Sequence, residues 1–151
     1  MAITTIESTQ YARTAGTTTG HNSPLDYSGE VGIFAFDLTQ SGAGDAGSTG
    51  KLVKLPSGRM RILDIEFNHD ALAGTIGVGH DAYTDTAGAT VAADATAFKS
   101  ASATTAAGTK RIFVNQVLNS RDGIVVQFTT DGPAAIPDGA KVNGVIRAVL
   151  M

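Results

Sequence analysis

From residue 31 onward, apolar and polar positions alternate with a period of two. Phe34, Phe36 and Leu38 fall on one side and Ile33, Ala35 and Asp37 on the other, the pattern of a strand with one buried face. A Gly-rich loop over 41–50 and a short apolar run at 52–55 follow, closed by the turn Pro56-Ser57-Gly58. Residues 59–69 form the strongest strand pattern. Leu63, Ile65 and Phe67 share one phase opposite Asp64 and Glu66, whereas Met60 and Ile62 belong to the other phase. A change of phase inside one strand predicts a bulge, or a change of burial along it, at Ile62–Leu63.

Over 75–79, Ile76 and Val78 alternate with Gly77 and Gly79. That face bears no side chains, which marks a bend or a close backbone approach. The Ala- and Thr-rich stretch 83–107 reads as irregular, with a short helix near 91–98. Three more strands are expected over 110–117, 123–130 and 140–150, separated by Asp122-Gly123 and Asp138-Gly139 turns that supply positive φ. About seven strands with frequent turns and almost no helix predict an all-β sandwich or barrel. Their uneven lengths favour a jelly-roll-like β-sandwich over a regular barrel. No fixed-period repeat points to a solenoid or propeller.

Residues 1–30 break this pattern. The run 14–24 holds hardly any core-forming side chain, too little apolar surface to offset its ordering entropy. Two readings stay open: a disordered tail, or an N-terminal arm ordered by a partner, for which Ile3, Ile6, Tyr11, Leu25 and Tyr27 are spaced anchors. The division expected is an arm over 1–30 and a β-sandwich over 31–151.

Composition narrows the function classes. Only 17% of the 151 residues are charged, against roughly 25% in an average protein. Small residues take their place, as in subunits that bury themselves in assemblies. A net charge of −3 provides no global basic field for nucleic acid. The chain has no Cys, so disulfides, thiolate catalysis and Cys-based zinc sites are excluded. A signal peptide is not expected, because polar residues break the first nineteen positions. No window approaches the roughly 20 apolar residues of a membrane-spanning helix. A soluble chain is the expectation.

Several motif matches lack the context their chemistry needs. Gly42-Ala43-Gly44-Asp45-Ala46-Gly47 spells the dinucleotide pattern GxGxxG, but loop and strand follow it instead of the helix that would meet a pyrophosphate. Gly50-Lys51 fails as a phosphate loop, since Leu52 stands where Ser or Thr is required. His69-Asp70 and His80-Asp81 are the candidate ligands. In a hairpin of 59–69 with 75–80 they would sit at opposite ends, short of the three or four convergent donors a metal needs. No assembled triad through His21, His69 or His80 is indicated, and Asp64 with Glu66 reads as two acids on a solvated strand face. No catalytic residue, cofactor or metal is therefore expected. Lys51, Lys54, Arg59 and Arg61 place four of the 11 basic residues within eleven positions. They read as a solvated face, or as a patch that orients an acidic partner.

The stretch Leu52-Val53-Lys54-Leu55-Pro56-Ser57-Gly58-Arg59-Met60-Arg61-Ile62-Leu63, with Ile76-Gly77-Val78-Gly79 after it, resembles a family of tailed-bacteriophage capsid decoration (cement) proteins. The resemblance extends in outline over 31–151. It implies a jelly-roll-like fold, a place on the virion capsid surface after synthesis in the host cytoplasm, and the phage major capsid protein as partner. It also implies association as a homo-oligomer (dimer or trimer), with no nucleic acid, membrane or cofactor involved and no enzymatic activity. The partner-binding candidates are Ile3, Ile6, Tyr11, Leu25 and Tyr27 on the arm, with Lys51, Lys54, Arg59 and Arg61. One alternative is a carbohydrate- or receptor-binding module of a phage tail or fibre, although no Trp and only Tyr11, Tyr27 and Tyr83 offer sugar-stacking rings. The other is an enzyme on a sandwich scaffold, disfavoured by the lack of an assembled acid, base and nucleophile.

Overall fold

A computed structural model of the chain describes residues 5–7, 31–45, 47–72, 74–131 and 136–151. All its elements are strands: β1 Thr5–Glu7, β2 Val31–Thr39, β3 Thr49–Leu55, β4 Gly58–His69, β5 Thr75–His80, β6 Tyr83–Thr84, β7 Thr90–Val91, β8 Asp94–Ala103, β9 Gly108–Ser120, β10 Ile124–Asp131 and β11 Lys141–Leu150. One sheet runs β1-β3-β10-β5-β8, the second runs β2-β11-β4-β9, and β6-β7 is a small separate hairpin.

The pairing has a simple logic. Among the eight long strands, β2 pairs with β11, β3 with β10, β4 with β9 and β5 with β8, all antiparallel. The chain is thus a long two-stranded ribbon, folded back near β6-β7 and rolled so that successive rungs alternate between two sheets. This is the jelly-roll-like sandwich expected from strand spacing. Between the sheets lie Phe36, Leu38, Leu55, Ile62, Ile65, Phe67, Ile76, Val78, Ile124, Phe128 and Ile146, all buried.

The phase change in β4 is a bulge. Against β11, Arg147 pairs with Asp64 and Ala148 with Ile62, so Leu63 is the extra residue. Against β9 the register slips at the same place, and Asn115 answers with a φ of 46°, a left-handed conformation that Asn tolerates better than most residues. Met60 and Ile62 point inward before the bulge, and Ile65 and Phe67 after it.

The bare face of β5 is also explained. A Cβ on Gly79 would overlap the Asp94 carbonyl oxygen, and one on Gly77 would stand 2.9 Å from the Ala95 carbonyl oxygen. The first residues of β8 therefore lie directly over these glycines. Asp94 holds that crossing in shape: its Oδ1 accepts from the Thr96 N–H at 2.9 Å and the Thr96 hydroxyl at 3.1 Å. Those bonds, the backbone one foremost, hold its carboxyl below the ordinary value.

One sequence expectation is corrected here. The segment expected to hold a helix near 91–98 forms β7 and the start of β8; side chains that small carry little helix periodicity, and β7 pairs with β6 while β8 pairs with β5. The strands ending in His69 and His80 are not a hairpin, because β4 and β5 lie in opposite sheets. Of residues 1–30, β1 alone is described; it pairs parallel to β3 with Thr5, Ile6 and Glu7 opposite Thr49, Gly50 and Lys51.

Gly79→Ala must push the start of β8 off the sheet. We expect it to lower stability by about 1–3 kcal/mol, the usual cost of overpacking, read as a fall in the urea midpoint. An Ala at Gly42, whose Cβ meets nothing within 4 Å, should cost less and only through its positive φ.

Candidate docking face

The outer surface of the β2-β11-β4-β9 sheet carries what the sandwich leaves open. Register places Ile33, Arg147, Asp64 and Phe113 in one row across its four strands. Val31, Val149, Arg61 and Val117 form the next row, and Ala35, Val145, Glu66 and Arg111 the one on the other side. A polar row then follows, where Thr109 Oγ1 donates to Asn68 Oδ1 at 2.6 Å and Asn68 Nδ2 to Asn143 Oδ1 at 3.3 Å.

The centre of this face is an ionic cluster. Arg147 Nη1 donates to Asp64 Oδ1 at 2.6 Å and to Glu66 Oε2 at 3.2 Å, and Arg111 Nη2 donates to Asp64 Oδ2 at 2.9 Å. Asp64 lies on the outer face yet is only 6% exposed, which differs from the solvated acid expected from sequence. Burial alone would raise its carboxyl. The hydrogen bonds and positive charge of Arg111 and Arg147 outweigh that and hold it below its ordinary value of 3.8. The arginines come from β9 and β11, 47 and 83 residues away in sequence.

Around this cluster stand bare apolar side chains. Phe113 is 76% exposed, Ile33 60%, Val31 52% and Val117 39%. Among the described residues only Met151 joins them as an exposed large hydrophobic. Ile33 and Phe113 sit on the two edge strands of the sheet, roughly 14 Å apart at about 4.8 Å per strand. The Arg111 guanidinium lies 4.9 Å from the Phe113 ring centroid, a cation–π contact. The Asp64, Glu66, Arg111 and Arg147 charges already pair with one another, so covering them leaves none of the four without a partner.

The sequence-derived candidates divide. Arg59 and Arg61 lie exposed on β4, and register sets Arg61 between Val149 and Val117. Lys51 and Lys54 lie on β3 in the other sheet, where Lys51 Nζ is 3.6 Å from Asp81 Oδ2. Ile6 lies on β1; Ile3, Tyr11, Leu25 and Tyr27 fall outside the described residues. Phe113, Ile33, Arg111 and Arg147 were missed. Two signals were present: Ile33 falls on the Asp37 side of the alternation over 31–39, and Ile112-Phe113-Val114 is an unbroken run in which an outward aromatic cannot be told from an inward one.

The remaining motifs resolve as structure. The glycine loop after β2 is clasped by the chain ahead of β11: Gly42 N–H donates to Asp138 Oδ1 at 2.7 Å, and Gly44 and Ile136 exchange backbone bonds. His69 and His80 are buried, and each sets its Nδ1 against the next residue's carbonyl, at 2.8 Å and 3.0 Å. Tyr83 is half-buried, edge-on to His80 at 5.2 Å. Among the described residues no three His, Asp or Glu side chains converge as metal ligands, and no helix is long and apolar enough to cross a membrane. His21 lies outside the described residues.

No protein-family model matches the chain, and no curated protein does. Solved structures do. A chain in the capsid of Ralstonia phage GP4 superposes with a TM-score of 0.75 at 22% identity, over 97% of this chain and 98% of that one. A chain of the cyanophage Pam1 capsid asymmetric unit gives 0.61 at 17%, over 90% and 96%. The fold is that of chains from two phage capsids. It also reaches infectious bursal disease virus, Gx strain, at a TM-score of 0.51 and 14% identity, covering 88% of this chain and 36% of the longer one.

Asp64→Asn keeps the shape of the cluster and removes its central charge. At neutral pH we expect a loss of about 1–2 kcal/mol, in the range for a charge-assisted hydrogen bond whose partners are partly solvated. A carboxyl held low in the folded state stabilises above its unfolded pKa, and that contribution fades as pH falls through the folded one. Urea titrations of the two proteins should therefore converge as the pH is taken below 3.8, the carboxyl's ordinary value.

Proposed function

We propose that this chain is a bacteriophage decoration (cement) protein that binds the outside of the assembled head and bridges neighbouring major capsid subunits. The observation that carries this reading is the likeness to the Ralstonia phage GP4 capsid chain, which spans nearly the whole of both chains. A small capsid chain with one open, apolar-flanked sheet face suits attachment to a larger shell. The proposed contact surface is the face bearing Ile33, Arg61 and Phe113, with residues 1–30 as an arm that spreads contacts over further subunits. Decoration stabilises a shell by linkage, because the protein binds assembled capsid and not free subunits. Several weak contacts on one rigid body add up through multivalency.

The test is co-sedimentation of the purified protein with capsids of its source phage stripped of it. Saturation at a fixed copy number per capsid subunit is the expected result; no pelleting onto capsids that rebind their native complement would refute the reading.

Burying one large apolar side chain contributes about 1.5–3 kcal/mol, and 1.4 kcal/mol is tenfold in affinity. Ile33→Ser with Phe113→Ser should thus weaken capsid binding at least tenfold, with little change in thermal stability because both residues are exposed. Removing residues 1–24 should leave the sandwich folded, by circular dichroism, and reduce pelleting.

A further inference from the structure

One pairing lies outside the rolled ribbon. Every long strand is antiparallel to its partners, whereas β1 adds parallel to the outer edge of β3 through three residues. That edge is a strand acceptor. Gly50, at the middle of the pairing, faces Ile6 on one side and Phe128 on the other. A Cβ on Gly50 would overlap the Phe128 ring. The missing side chain lets the Phe128 ring extend beneath β3 toward the position opposite Ile6. Residues 5–7 are held by backbone pairing, which any copy of the segment can satisfy equally.

The chain between β1 and β2 is far longer than an intramolecular connection needs. β1 runs parallel to β3 and β2 opposite to it, so the end of β1 lies toward the beginning of β2. From Lys51 to the end of β3 is roughly 13 Å, and the second sheet lies about 10 Å away; fewer than ten residues would span both. The sequence supplies 23, positions 8–30. Fully extended, that length reaches about 75 Å, well beyond a 151-residue domain with a radius of gyration near 15 Å. It is enough to carry β1 to another molecule.

We propose that Thr5–Glu7 of one copy pairs onto β3 of a neighbouring copy, so that subunits are linked by exchanged strands. Each β1–β3 pair is conserved on exchange, so association sacrifices no backbone hydrogen bond, the usual reason strand exchange is a low-cost route to oligomers. The occupant is a second copy of this chain. This concerns self-association and is tested without capsids, so its failure and that of the attachment reading are separable.

The experiment uses the natural absence of Cys. Full-length chains carrying Glu7→Cys with one tag and Lys51→Cys with another are co-expressed, purified and oxidised; positions 7 and 51 are direct register partners. The expected result is a disulfide-linked pair bearing both tags, lost on reduction. A double variant that closes only within its own chain, with no mixed pair from the co-expression, would overturn the proposal, as would failure of any disulfide to form. To guard against misfolded variants, unlabelled and ¹⁵N-labelled wild-type chains are co-refolded and treated with a carbodiimide that joins Glu7 to Lys51. Mixed-isotope Glu7–Lys51 peptides are expected; single-isotope peptides alone, or none, would overturn it.

Discussion

The molecule turns on the extra residue in β4. A strand that kept its phase from Met60 and Ile62 would send Asp64 and Glu66 into the core and leave Ile65 and Phe67 in water, because a one-residue slip reverses every side chain. Leu63 prevents this, with Asn115 on the adjoining strand taking up the distortion. Two consequences come from one bulge: an unbroken apolar core between the sheets, and two acids outside, where Arg111 and Arg147 reach them. Core and ionic cluster are thus opposite sides of one register decision.

The rolled ribbon makes the two outer faces unlike. On the sheet holding β5, the bare glycines are covered by the start of β8, so the chain closes that surface with its own backbone. On the other sheet nothing among the described residues serves the same purpose for Phe113, Ile33, Val31 and Val117. Four large apolar side chains exposed on the two flanks of one ionic cluster are more than singly scattered exposure. The asymmetry gives the capsid reading a direction: one face finished, the other available.

In the proposed attachment, charge on that open face contributes orientation more than adhesion. The central acids are already held by arginines, so a partner would not need to neutralise them, and on the proposed reading Arg59 and Arg61 would steer an acidic surface into place. Contact energy falls instead to the apolar flanks, where Arg111 also braces the Phe113 ring. The strand acceptor on β3 lies at the edge of the other sheet, so exchange between copies and attachment through the face do not compete for the same residues.

Much of this was legible in the sequence. The all-β class, most strand positions, the slip at Ile62–Leu63 and the crowding over Gly77 and Gly79 follow from local periodicity and from glycine, signals carried within a few residues. The strand in place of a helix near 91–98 was not legible, because small side chains carry no period and pairing with β6 and β5 decided their conformation. The docking face was half legible: Arg59, Arg61, Asp64 and Glu66 could be set outward on β4. What they stand beside could not, because Ile33, Phe113, Arg111 and Arg147 reach them from positions 26 to 88 residues away in the chain. Pattern along a strand is a local property and the sequence determines it; the row across a sheet is set by long-range register, which only the tertiary structure decides.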